Sequence, residues 1–210
     1  MKNLAIVGAT GSTGKEVSYL AIEAGYNVTV LVRDPSKVSF PNYVKIVKAD
    51  VTDLESLIIA LEGMDSVISC FGPSNHREVG TLMSNGMTNI VKACEFNQVD
   101  RFVFMSGCLQ TDFRELSLLA KLIIPPLRLY FRKSYLDKMI GEQSIKNSSI
   151  NWTIIRAPGL NNSTPLGTYK AAAKQRVYFE LMSYTDCARC LIDAVEKKRW
   201  SKEIVNLGKL

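Results

Sequence analysis

Residues 4–17 read Leu-Ala-Ile-Val-Gly-Ala-Thr-Gly-Ser-Thr-Gly-Lys-Glu-Val. A short apolar run, suited to a buried strand, leads without a spacer into Gly8, Gly11 and Gly14. Val17, Leu20, Ala21 and Ala24 then follow at helical spacing. Strand, glycine turn and helix in this order fix a βα unit. The first glycine permits a tight exit from the strand, the second lets backbone N–H groups approach a pyrophosphate, and the third lets the helix pack closely on the sheet. The anion then rests on the positive end of the helix. Thr10, Ser12 and Thr13 can add hydroxyl donors. The glycine spacing alone is weak evidence; its place between a strand and a helix is the context that gives it meaning.

The same rhythm continues along the chain. Residues 27–33, 44–50, 65–72 and 101–107 have strand patterns, and 13–24, 53–63 and 79–96 have helical ones. The strands are apolar on both faces, as expected where helices cover both sides of a parallel sheet. The expected architecture is α/β, a single-domain Rossmann fold over residues 1–210 with a doubly wound, mainly parallel sheet. After Gly107 the rhythm breaks. Residues 114–134 are apolar and basic and are interrupted at Pro125-Pro126. A helix is expected from 135 to about 147, a sixth strand at 150–158, turn chemistry over 159–169, a helix at 185–196 and a last strand at 203–208.

Composition narrows the function classes. With 47% hydrophobic and 22% charged residues, the 210-residue chain reads as an ordinary globular protein. It has no apolar run of membrane-spanning length and no signal-peptide layout, so the cytoplasm is the expected compartment. The five cysteines are an odd number, and Cys187-x-x-Cys190 has no second pair or nearby histidine to complete a metal site. Reduced thiols and no metal are the reading, and the Asn-x-Ser/Thr sequons carry no weight in that compartment. The net charge of +6 is spread along the chain, without the clustered basic face of a nucleic-acid binder.

The end of the second strand bears on the choice of dinucleotide. An acidic residue there would accept from an adenosine ribose hydroxyl, whereas Arg33 and Lys37 suit a 2′-phosphate. NADP is therefore preferred over NAD, although Asp34 lies one residue beyond Arg33.

The segments GATGSTG, VLVRD, ADVTD, SCFG, FMSG and SINWTIIRAPGL, in this order, resemble the atypical short-chain dehydrogenase/reductase superfamily and its NmrA-like group. Within it, MSNGMTNIVKA, DKMIGEQSIKNSSINW and TPLGTY resemble the biliverdin-IXβ reductase / flavin reductase type. The resemblance implies that Gly8, Thr10, Gly11, Ser12, Thr13 and Gly14 hold the pyrophosphate, and Arg33 and Lys37 the 2′-phosphate. It places Asp50 and Val51 beside the adenine, Phe71 and Gly72 beside the ribose and diphosphate, and Met105 and Ser106 on the nicotinamide side. Pro158, Gly159 and Leu160 then line the nicotinamide pocket.

The chain departs from the superfamily at Tyr-x-x-x-Lys, the phenol–ammonium pair that exchanges a proton with substrate alcohols. Lys138 fills the lysine place, but Ser134 stands four residues before it; Tyr135 is three before and Tyr130 eight. A sugar-nucleotide epimerase or dehydratase is accordingly the least favoured reading. Hydride transfer to a flat conjugated acceptor (flavin, linear tetrapyrrole or quinone) asks mainly for orientation. Ser106 and Lys138 are the catalytic candidates, against a capping hydroxyl and a solvated lysine. The alternative is a non-catalytic redox sensor of the NmrA type. The expected partner is a small-molecule acceptor, and the protein a monomer or homodimer. His76, the only histidine, lies in a polar loop on the ligand side. The segment around 112–134 is read first as a lid, then as a subunit contact, and last as a membrane-facing surface.

Overall fold

The structure, a computed structural model, describes residues 2–73, 80–197 and 199–209. Its centre is β1 (Asn3–Val7), which pairs in parallel with β2 (Asn27–Val32) on one side and β4 (Ser66–Ser69) on the other. The strand order is β3-β2-β1-β4-β5-β6-β10-β8, with β3 at Lys45–Lys48, β5 at Arg101–Gly107, β6 at Trp152–Ala157, β8 at Lys170–Ala173 and β10 at Glu203–Gly208. The order reverses direction at β1, which opens a crevice at the carboxyl ends of β1 and β4 where doubly wound sheets bind ligands. Among the described residues of this sheet only β8, at the edge, runs antiparallel to its neighbour, β10.

Alternate residues of each strand face opposite layers. Leu4, Ile6, Val30, Val103 and Ile155 pack under α1 (Ser12–Glu23) and α6 (Tyr184–Glu196). Ala5, Val7, Val67, Phe102 and Phe104 pack under α2 (Leu54–Ala60), α3 (Leu82–Phe96) and α5 (Arg132–Lys146). The two layers account for the uniformly apolar strands.

Two expectations fail. Pro125 and Pro126 do not interrupt the apolar segment: α4 runs unbroken from Leu118 to Tyr130 through both. Proline shares the helical φ, and it leaves the carbonyls of Lys121 and Leu122 without their helical donors. The break falls instead at Phe131, and α5 starts at Arg132 rather than at 135. The stretch 159–169, read as turn, opens on a short strand, and two more strands lie in 170–184, where no element was expected. β7 (Gly159–Asn161) pairs with β9 (Leu181–Ser183), and β8 joins the main sheet. These strands are too short to show an alternating pattern.

Candidate functional site

The glycine turn is built as its spacing predicts. Gly8 has φ +80°, and a Cβ there would lie 2.8 Å from the Cys70 carbonyl carbon and the Phe71 nitrogen. A Cβ on Gly14 would stand 2.2 Å from the Gly8 oxygen, so only glycine lets α1 start this close to β1. Gly11 closes the turn, its N–H donating to the Gly8 oxygen at 3.1 Å. Among the described residues no side chain caps α1, and its first turn has no acidic residue. Its first N–H groups are thus open to an anion. Thr10, Gly11 and Ser12 are exposed around this end, whereas Thr13 is buried.

Arg33 and Lys37 line one cleft of about 720 Å³ together with Thr10, Lys15, Asp34 and Ser39. Lys15 is a third cation there that the sequence reading missed. Asp34 accepts from the Ser36 N–H at 3.1 Å, the Ser36 hydroxyl at 2.6 Å and Lys37 Nζ at 3.0 Å. The Ser36 hydroxyl, followed by Lys37, holds this carboxyl below the ordinary aspartate range.

Asp50 and Val51 follow β3. The Thr52 N–H and hydroxyl bond Asp50 at 2.9 and 2.8 Å; the N–H is the main cause of its lowered pKa, and Arg33 adds to it. Asn89 on α3 donates to the Val51 carbonyl at 2.9 Å. A Cβ on Gly86 would meet Phe71 Cε1 at 2.9 Å and Val51 Cγ2 at 3.0 Å, so the two expected cofactor neighbours meet beneath α3. Gly72 is exposed. His76 lies outside the described residues.

At the end of β5, Met105 and Ser106 face opposite layers. Met105 turns to α6, its sulfur 3.8 Å from Cys187 Sγ. Ser106 is buried and donates to Glu142 Oε1 at 2.6 Å; Arg156 Nη2 reaches Glu142 Oε2 at 2.8 Å. One helical turn before Glu142, burial lowers the pKa of half-buried Lys138, while Glu142 and Cys108 oppose the shift. After β6, Pro158 is buried, Gly159 is exposed beside Leu181, and Leu160 pairs with Met182.

The carboxyl ends of β1 to β6 thus bring the expected positions to one edge of the sheet. Glu142 and Arg156 were not anticipated in the site. Their signal was the acid one turn beyond Lys138 and the arginine at the end of the sixth strand. Cys187 and Cys190 are buried free thiols, and burial pushes the Cys187 pKa up to about 12. Among the described residues no helix is long and apolar enough to cross a membrane.

The sequence has known relatives. An uncharacterised chloroplastic protein of Arabidopsis thaliana is 29% identical, over 98% of this chain and 76% of its own. A photosystem II assembly factor, Ycf39, of Cyanophora paradoxa is 26% identical over 75% of this chain; the match spans 45% of that relative, under half its length. The crystal structure of a candidate NADH-flavin reductase from Streptococcus pneumoniae superposes with a TM-score of 0.82 at 24% identity, over 100% of both chains. The profile of a family described as NAD(P)H-binding matches residues 8–198, and the glycine cradle at β1–α1 is the feature such a cofactor requires: the chain belongs to this NAD(P)H-binding family.

Proposed function

We propose that the protein is an NADPH-dependent reductase that passes hydride to a flat conjugated acceptor such as a flavin, a linear tetrapyrrole or a quinone. The observation that carries the reading is the cleft shared by Lys15, Arg33 and Lys37, in which the one carboxylate among the described residues, Asp34, is already engaged by Ser36 and Lys37. An engaged acid is a poor acceptor for a ribose hydroxyl, and three cations suit a 2′-phosphate.

Bound NADPH supplies the hydride. The chain's own residues do the rest. Gly8, Gly11 and Gly14, with Thr10 and Ser12, receive the pyrophosphate at the start of α1. Glu142 fixes the Ser106 hydroxyl and balances Arg156, which holds the floor beside the end of β5 rigid. Lys138 Nζ, with its proton held less tightly through burial, is the donor for the proton that accompanies the hydride. The free thiols fit a reducing compartment, and the cytoplasm is the one we assign.

NADPH oxidation with FMN, beside an NADH control and an Arg33→Ala variant, tests the reading, with cofactor binding followed by fluorescence. Turnover that prefers NADPH and loses that preference in the variant supports it. The unmet Tyr-x-x-x-Lys pattern, with Ser134 four residues before Lys138, supports a second reading, a non-catalytic cofactor-binding sensor of the NmrA type. Tight NADPH binding without turnover on flavin, tetrapyrrole and quinone alike would select the sensor.

A further inference from the structure

A helix on a globular protein ordinarily turns its polar face to water. α4 is apolar on its outward face as well as on its buried one. Leu118, Leu122 and Leu129 are 83%, 74% and 75% exposed, and Leu119 is 57% exposed. At roughly 100° per residue, positions 118, 119, 122, 126, 129 and 130 fall within one sector of about 120°. The opposite side, Ala120 and Ile124, is buried with Leu116 and Val177. Arg128 fastens the helix to the segment after β5, donating to the Leu109 carbonyl at 2.7 Å and to the Thr111 carbonyl. The apolar stripe is therefore held outward on an anchored helix.

Charge selects what covers it. Residues 116–136 include Lys121, Arg128, Arg132 and Lys133 and no acidic residue. Lys121 lies on the flank of α4, over the Phe113 ring at 5.2 Å, and Arg132 and Lys133 are exposed just beyond its end. A two-fold contact sets the same patch against itself. It would add cations to cations, with no carboxylate on α4 itself to answer them. A lid would turn its leucines toward the site, whereas these point away from the protein.

We propose that the outward face of α4 rests on the surface of an anionic bilayer. The leucines enter the boundary between headgroups and acyl chains, and Lys121, Arg132 and Lys133 meet lipid phosphates. Pro125 and Pro126 set the depth. The Lys121 and Leu122 carbonyls, deprived of helical donors, need water or headgroups within reach, so the helix lies on the membrane and does not enter its core. The inference does not depend on the reductase reading.

The test is co-sedimentation of the full chain with phosphatidylcholine vesicles, with and without phosphatidylglycerol. The wild type is expected to sediment with the anionic vesicles alone, and added salt to release it. A Leu118→Asp/Leu122→Asp variant should bind at least about tenfold less, and Lys133→Ala about fivefold less. Both changes are at exposed positions, and unchanged NADPH fluorescence will show that the fold is intact. Failure to sediment, or equal binding to neutral vesicles, overturns the proposal. So does a dimer, seen by light scattering, that Leu122→Asp dissociates without any vesicle binding in the wild type.

Discussion

The Ser106 hydroxyl donates to Glu142 Oε1 at 2.6 Å, with the two side chains only 3% and 2% exposed in the residue total. The other oxygen of Glu142 takes Arg156 Nη2 at 2.8 Å, while Arg156 Nε finds no partner among the described residues. Glu142 is thus the counter-charge of a buried guanidinium. Glu142→Ala should lower stability by about 3–5 kcal/mol, because it strands Arg156 without its partner. Ser106→Ala removes one hydrogen bond to a charge and should cost about 1.5–3 kcal/mol. Urea unfolding of both variants checks the order. A Glu142→Ala cost below that of Ser106→Ala would show that the ion pair is not sealed from water.

Lys138 gives the protein a pH dependence of predictable sign. Its folded pKa lies below the ordinary 10.5, with burial as the main cause. Between the lowered value and 10.5 the unfolded chain holds the proton and the folded chain does not, so stability rises with pH across that window. Below it both states are charged, and the cost of burying the ammonium is present in full. The buried thiols, whose pKa values are raised by burial, act in the opposite direction at alkaline pH, so the Lys138 contribution is read as a difference: melting temperatures from neutral to alkaline pH should fall more steeply in Lys138→Met than in the wild type. If Lys138 also donates the proton in turnover, the alkaline fall in kcat should begin below the ordinary lysine value and vanish in the same variant.

The glycines of the first turn should separate folding from binding. A Cβ at position 14 would collide with the Gly8 oxygen at 2.2 Å, whereas at position 11 its nearest neighbour is the same oxygen at an ordinary 3.5 Å. Gly14→Ala should therefore lower the melting temperature sharply. Gly11→Ala should cost about 0.5–1 kcal/mol as an N-cap change and act chiefly on NADPH affinity. Thermal melts and fluorescence titrations on the two variants distinguish the cases, and equal loss of stability in both would deny Gly11 its role at the cofactor.

What the sequence made legible is what leaves a local mark. Gly8 and Gly14 are glycine because of φ and of contact with the next turn, and the apolar strands alternate with helices at regular intervals. Interactions made across the chain leave no such mark. Arg101 opens β5 and by residue type belongs on the surface, yet it is 1% exposed. It donates to Asn151 Oδ1, Thr153 Oγ1 and the Ala194 and Arg199 carbonyls, from 50 to 98 residues away. Asp137 is equally silent: as part of α5 it reads as an exposed helix residue, but it accepts from the Met83 and Ser84 N–H groups at 2.7 and 3.1 Å and caps α3. The cofactor positions followed from strand ends, whereas the buried Ser106–Glu142–Arg156 group needed the packing of α5 on β5 and β6.

That cap decides the last prediction. Gly141 lies inside α5, where alanine would normally add about 1 kcal/mol of helix stability. A Cβ there would stand 3.0 Å from the Met83 carbonyl oxygen and 3.2 Å from Met87 Cβ. Relief would require α3 to move away, but the Met83 and Ser84 N–H groups are held by Asp137 of the same α5, only four residues from Gly141. The contact cannot open without breaking those bonds, so overpacking at about 1–3 kcal/mol should outweigh the gain in propensity. Gly141→Ala should be destabilising by urea unfolding. Combined with Asp137→Ala, which frees the start of α3, it should cost measurably less than the two single changes added together. Strict additivity in that double-mutant cycle would show that α3 yields at Met83 without help from the cap.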